Sequence, residues 1–262
     1  MIKAKKSLGQ NFLFDQNIID KITKISKIEN KNILEVGAGT GNLTSAILKK
    51  NPKKLIVVEK DNLLVNLLEK KFKNKIQIIN KDILKIDENF LDKEILTVFG
   101  NLPYNISTEI LSRWILNIND KKIWFDNLVL MFQKEVADRI ISEFNTKNYG
   151  RLSVLANWKL EIKKIVDVKP SSFRPRPKIE STILFFKPKK NSYKLNNPES
   201  LEKITRVFFM HRRKMIKKAY NQIFNGNINV SSKLNIDLNS RPQNLDYETY
   251  FNLTKEYEFL RG

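Results

Sequence analysis

The chain has 262 residues, 41% of them hydrophobic, enough for one large domain or a large domain with a small one and too apolar for a disordered chain. Lys and Arg number 48 against 28 Asp and Glu, a net charge of +20 that points to a polyanionic partner, nucleic acid before membrane. Cysteine is absent and His211 is the single histidine, which excludes disulfides and thiolate metal sites, so no metal is expected.

The start, MIKAKKSLGQNFL, is basic but lacks an apolar core of signal-peptide length, and no apolar run of about 18 residues occurs, so a soluble cytoplasmic protein is expected. Residues 5–14, KKSLGQNFLF, precede any regular element and read as an arm packing on the core. From Gln16 onward, Ile18, Ile19, Ile22, Ile25 and Ile28 recur at helical spacing and predict an amphipathic helix leading into a sheet.

In NILEVGAGTGNLT, residues 32–44, Ile33, Leu34 and Val36 read as a buried strand. Gly37, Gly39 and Gly41 then make a tight turn into a helix carrying Leu43, Ile47 and Leu48. Glycines let backbone approach a ligand closely. The Gly-x-Gly-x-Gly spacing departs from the dinucleotide fingerprint Gly-x-Gly-x-x-Gly, so a cofactor without a pyrophosphate, such as S-adenosylmethionine, fits better. A second strand, Leu55 to Val58, ends at Glu59, near the ~20-residue offset at which an acid meets ribose hydroxyls. The alternative for Glu59 is an exposed acid on a solvated loop. A third strand, Ile76 to Ile79, leads to Asp82, whose carboxylate could accept from the cofactor's adenine amino group.

Residues 95–108, ILTVFGNLPYNIST, carry the candidate chemistry. Ile95, Leu96, Val98 and Phe99 predict a buried strand ended by Gly100 and Pro103, which puts Asn101 at the strand's carboxyl end, where open α/β sheets bind ligands. An amide oxygen on Asn101 and the backbone carbonyl of Leu102, both accepting N–H bonds from an adenine amine, would draw its delocalised lone pair out of the ring. Tyr104 would stack on the base. The competing reading makes Asn101 a helix cap and Pro103 a first-turn residue.

A helix with Ile106, Ile110, Leu111 and Trp114 follows, then a strand over Leu128 to Phe132, a helix over Val136 to Phe144 and a turn at Tyr149-Gly150-Arg151. Runs at Leu160 to Val168 and Thr182 to Phe186 bring the strands to about seven, alternating with helices in the α/β pattern. PSSFRPRPKIEST, residues 170–182, predicts a stiff loop that carries Phe173 outward beside Arg174, Arg176 and Lys178, suited to stacking on a flipped base next to phosphates. A buried loop anchor is the other reading of Phe173. The polar link KPKKNSYKLNNP, residues 187–198, predicts a boundary between a domain over 1–190 and a helical one over 191–262. The latter holds the basic run His211-Arg212-Arg213-Lys214, read as a helix face turned either to RNA or to solvent.

Four separated motifs, KKSLGQNFL, NLPYNIST, FRPRPKIEST and HRRK, occur in an order that resembles the small-subunit rRNA adenine dimethyltransferases, the KsgA family. The chain departs from that pattern at Ile179 and Glu180, at His211, and over Lys218 to Asn221. The resemblance implies a Rossmann-like, seven-stranded class I S-adenosylmethionine-dependent methyltransferase domain with a small C-terminal all-helical domain. It assigns cofactor contacts to Asn11 and Leu13 beside Gly37, Gly39, Glu59, Asp82 and Asn101, and it sets Arg212, Arg213 and Lys214 against rRNA. The implied activity is N6-dimethylation of two adjacent adenosines near the 3′ end of 16S rRNA, by a monomer acting on an assembling small subunit. The related large-subunit enzymes of antibiotic resistance and a non-catalytic assembly factor are the alternatives.

Overall fold

The computed structural model describes residues 4–5, 8–86, 94–118 and 123–261, so Lys6 and Ser7 of the first motif lie outside the described residues. Two compact units are formed. The first takes Met1–Leu111, Ile118–Ala137 and Ile162–Pro188, and the second takes Ser112–Asn117, Asp138–Glu161 and Lys189–Gly262. The helical unit thus draws on residues 138–161 as well as on the chain beyond the polar link.

The first unit is built on a seven-stranded sheet. Its strands are β2 (Asn32–Val36), β3 (Lys54–Val58), β4 (Gln77–Ile79), β5 (Leu96–Asn101), β6 (Phe125–Gln133), β7 (Leu160–Val168) and β9 (Ser181–Pro188), in the spatial order β4-β3-β2-β5-β6-β9-β7. The order doubles back at β2, with β3 on one side and β5 on the other, which creates the crevice where such sheets bind ligands. Strands β2 to β6 run parallel, and their residues are near-continuously apolar because helices cover both faces. The pairing of β6 with β9 is antiparallel.

Helices α1 (Gln16–Ile22), α2 (Asn42–Leu48), α3 (Asn62–Phe72), α4 (Ser107–Leu116) and α5 (Lys134–Ile140) begin where the sequence supplies caps or turns. The side chains of Asp15 and Asp61 accept from the N–H groups of Asn17 and Leu63 to start α1 and α3. Helix α1 stops at Thr23, so Ile25 and Ile28 of the expected longer helix follow it, Ile28 buried in the core. The core joins Ile19, Ile33, Ile47, Val57, Leu68 and Phe99 with Leu13 and Phe173. These last two come from a separate two-stranded ribbon in which β1 (Phe12–Leu13) pairs antiparallel with β8 (Phe173–Arg174).

In the second unit, α6 (Arg151–Lys159), α7 (Pro198–Met210), α8 (Lys217–Phe224), α9 (Ile228–Lys233) and α10 (Tyr247–Phe259) pack around aromatic side chains. Leu201, Ile204, Thr205 and Phe208 form the buried stripe of α7, and Phe208 meets Tyr250 of α10 edge to face at 5.8 Å. Arg151 and Glu202 pair at 2.9 Å. Residues 211–214 form a turn, so the basic run is a turn between α7 and α8, where a helix face was expected. His211 leaves the helix at φ −122°, ψ 58°.

Gly41 caps α2 in the left-handed region, φ +76°, and a Cβ there would lie 2.6 Å from Phe72 Cε2 and 2.8 Å from Leu68 Cδ2 of α3. Gly41→Ala should therefore lose about 2–4 kcal/mol in denaturant unfolding, from backbone strain plus overpacking. Gly226→Ala, at φ +75° with nothing nearer than 4.0 Å, should lose only about 1 kcal/mol of strain.

Candidate functional site

Strand register assembles the site. Val36 pairs with Val58 and with Gly100, and Val58 pairs with Ile79, so one row crosses four strands at their carboxyl ends. The next residue in each strand, Gly37, Glu59, Asn80 and Asn101, therefore falls in one row along the crevice. Gly37 has φ +76°, and a Cβ on it would come within 3.0 Å of the Asn101 carbonyl oxygen, so only glycine lets the loop and the Asn101 backbone approach this closely. Gly39, φ +56°, lies against the Phe12 ring, which a Cβ would meet at 2.8 Å.

A cavity opens along this row, lined by residues 8–13, the glycine loop, Glu59, Asp82 and the segment from Asn101 to Ile106. The expected residues Asn11, Leu13, Gly37, Gly39, Glu59, Asp82, Asn101, Leu102 and Tyr104 all line it. Glu59 is buried, and its carboxylate accepts from the N–H groups of Gly39 (3.1 Å), Lys60 (2.9 Å) and Asp61 (3.0 Å). Burial raises its pKa while those three bonds lower it. Asp82 accepts from Lys60 Nζ at 2.7 Å and from the N–H of Leu84 at 3.1 Å.

Asn101 Nδ2 donates to the Asn11 carbonyl at 3.0 Å, so its amide orients the segment over the cavity and does not cap α4. This bond leaves Oδ1 as the amide's free acceptor. Leu102 is buried, and Tyr104 is half-buried with its hydroxyl 2.6 Å from Ser181 Oγ. Burial raises the Tyr104 pKa, so the ring stays a neutral stacking surface.

The N-terminal arm is pinned at several points. Lys5 Nζ and Gln10 Nε2 donate to Asp61 at 2.8 and 2.9 Å, Asn42 Nδ2 donates to the Leu13 carbonyl at 2.9 Å, and the Phe14 N–H donates to the Ser172 carbonyl at 3.1 Å. Burial alone would raise the Asp61 carboxyl, but the bonds from Lys5, Gln10 and the Leu63 N–H bring it below its ordinary value.

Two expectations change. Phe173 is 2% exposed and sits in the core opposite Leu13, so it anchors its loop and does not project outward. The cause is long-range strand pairing across 160 residues, which local proline content does not reveal. Arg174 and Arg176 of that loop are exposed. Arg212 is half-buried, with Nε on Gln243 Oε1 at 3.3 Å and a guanidinium nitrogen on the Thr146 carbonyl at 3.1 Å, and burial beside Arg139 lowers its pKa. It is a tie inside the helical unit, whereas Arg213 and Lys214 are exposed.

Sequence reasoning missed Glu35. It lies within β2, 1% exposed, lines the cavity, and its Oε2 has no hydrogen-bond partner. The signal was there, since a lone acid interrupts an otherwise apolar strand two residues before the glycine loop. Burial, with Glu59 nearby, pushes its pKa up to about 7, against the lowering effect of Thr44 and Lys71. A buried acid in the wall of a glycine-lined cavity fits a cationic ligand, and S-adenosylmethionine, with an ammonium and a sulfonium and no phosphate, meets that requirement. Glu35, the glycine loop, Glu59 and Asp82 would hold it. Among the described residues no group of three or more His, Cys, Asp or Glu is placed to hold a metal, and no helix is long and apolar enough to cross a membrane.

The family model described as ribosomal RNA adenine dimethylase matches residues 1–258. A protein of Pelagibacter ubique described as ribosomal RNA small subunit methyltransferase A is 63% identical over 261 residues, covering 100% of this chain and 99% of that one. A Wolbachia protein of the same description is 41% identical, covering 99% and 96%. Among solved structures, a dimethyladenosine transferase from Plasmodium falciparum superposes with TM-score 0.77 at 26% identity, covering 95% of this chain and 98% of that one. The 23S rRNA methyltransferase ErmE superposes with TM-score 0.68 at 21% identity over 95% and 100%, a likeness of fold alone.

The folded chain holds the Glu35 proton more tightly than the unfolded chain, whose carboxyl titrates near 4.5. This contribution to stability is complete below about 4.5 and is lost as pH rises through about 7. Urea unfolding across that window should show a loss on the order of 3 kcal/mol that Glu35→Gln does not show. Parallel pH profiles for the two proteins would refute the assignment.

Proposed function

The chain belongs to the ribosomal RNA adenine dimethylase family, and from that premise we propose how its residues dimethylate adenine N6 in small-subunit rRNA with S-adenosylmethionine. The observation that carries the reading is the Asn101 amide, fixed by the Asn11 carbonyl at the end of the row, beside the glycine loop.

Bound S-adenosylmethionine supplies an electrophilic methyl on its sulfonium. Glu35 would face the cofactor's positive charge, Glu59 would accept from its ribose hydroxyls, and Asp82 would accept from its adenine amine. Asn101 Oδ1 and the Leu102 carbonyl would accept the two N–H bonds of the unmethylated target amine, and one of them the single N–H left for the second transfer, which frees the nitrogen lone pair to take the methyl as the sulfonium carbon–sulfur bond breaks. Tyr104 lies against the target ring and is held in place by Ser181. The methylated ammonium is acidic enough to lose its proton to water, so no strong general base is required.

The substrate we propose is the pair of adjacent adenosines near the 3′ end of 16S rRNA, met on an assembling small subunit by a cytoplasmic monomer. The 63% identity to a small-subunit methyltransferase favours this over a large-subunit substrate, and the cavity with its ordered acids favours catalysis over passive assembly.

Asn101→Ala should slow methyl transfer to immature small subunits by ~10²–10³, the cost of removing one placed dipole, while the fold and most of the RNA affinity stay intact. Transfer at the wild-type rate would reduce Asn101 to a structural tie. The exposed pair Arg213 and Lys214 we assign to RNA phosphates. Neutralising both should lower the slope of log K against log salt by about 2, roughly one for each cation withdrawn from a phosphate, and leave cofactor affinity alone. An unaltered slope would show that these two cations do not touch the RNA backbone.

A further inference from the structure

The buried position of Phe173 leaves the loop without its expected exposed aromatic, and another ring stands at that place. Phe14 is 41% exposed, and the Arg174 guanidinium lies over it with its carbon 4.6 Å from the ring centroid. The two come together because Arg174 pairs with Phe12 across the ribbon, so that its side chain reaches Phe14 diagonally. The Phe14 N–H to Ser172 carbonyl bond extends the ladder by one step.

Side chains alternate along an extended strand, so Phe14 shares a side with Phe12, the ring that lies on Gly39. Phe14 is three residues beyond Asn11, whose carbonyl holds the Asn101 amide, a separation of roughly 10 Å in extended chain. Arg176, Lys178 and Ile179, all exposed, continue the same loop.

We propose that Phe14 and the guanidinium of Arg174 form a shelf on which an unpaired nucleobase of the RNA, neighbouring the adenine in the cavity, stacks. The proposal rests on the RNA methyl-transfer reading above. An exposed ring and a guanidinium plane both accept the face of any base, and the adjacent cations lie where the backbone phosphates of such a strand would run. A ring of this size left open one residue beyond the cavity wall at Leu13, with a cation already on it, needs no such partner for stability, since exposed cation–π pairs contribute little.

The native tryptophans, Trp114, Trp124 and Trp158, are 3%, 3% and 1% exposed, which makes Phe14→Trp a local reporter. Titration of this variant with unmethylated small-subunit rRNA should quench the new emission saturably, and unchanged emission at saturating RNA would overturn the proposal. In the full chain, Phe14→Ala should raise KM for the RNA about tenfold, as loss of one stacked base does, with unchanged S-adenosylmethionine affinity and melting temperature. Phe14→Tyr should restore the wild-type KM. A wild-type KM in Phe14→Ala, or a rise matched by falls in melting temperature and cofactor affinity, overturns the shelf while leaving the methyl-transfer reading intact. No transfer by the unaltered chain overturns both.

Discussion

The parallel register of four strands is the constraint on which the site depends. Because Val36, Val58, Ile79 and Gly100 share one row, each strand delivers its next residue to the same line of the crevice. A shift of one residue in any of them would turn its side chains to the other face and remove a member from the row. The hydrophobic runs that bury these strands on both faces therefore also set where Glu59 and Asn101 stand. Glycine at 37 completes the arrangement, since its missing Cβ admits the Asn101 carbonyl at a distance that any other residue would obstruct.

A second device joins the cofactor cavity to the substrate side. The ribbon of β1 and β8 is only two residues on each strand, yet it connects the N-terminal arm to the proline-rich loop. Along that arm, Gln10 binds Asp61, Asn11 orients the Asn101 amide, Phe12 covers Gly39, Leu13 accepts from Asn42, and Phe14 carries Arg174. Five consecutive residues thus touch the cofactor row, the amine-polarising group and the loop in turn. The same strap thus lines the cavity and holds the Asn101 amide.

The sheet was legible in the sequence because buried parallel strands read as short apolar runs ended by glycine or an acid, and the glycine loop and Glu59 follow from spacing along a single βαβ unit. What was not legible depends on contacts distant in sequence. Phe173 looks exposed among prolines and arginines until Leu13 pairs with it. Arg212 looks like its neighbours until Gln243 and Thr146 take its guanidinium. The basic run looks helical by continuity with α7, but His211 turns the chain away. Glu35 was passed over for the opposite reason: its place inside an apolar strand made it look like part of the scaffold, whereas it also stands in the wall of the cavity.

On the proposed reading, one row of residues at the carboxyl edge of the sheet holds the cofactor and polarises the amine. A crystal structure of the chain with S-adenosylhomocysteine and adenosine tests it most directly. The cofactor ammonium is expected at Glu35, its ribose at Glu59, and the adenosine N6 within about 2.6–3.2 Å of both Asn101 Oδ1 and the Leu102 carbonyl, with the base against Tyr104. A complex in which the cofactor occupies the row but the N6 amine lies away from Asn101 would contradict it.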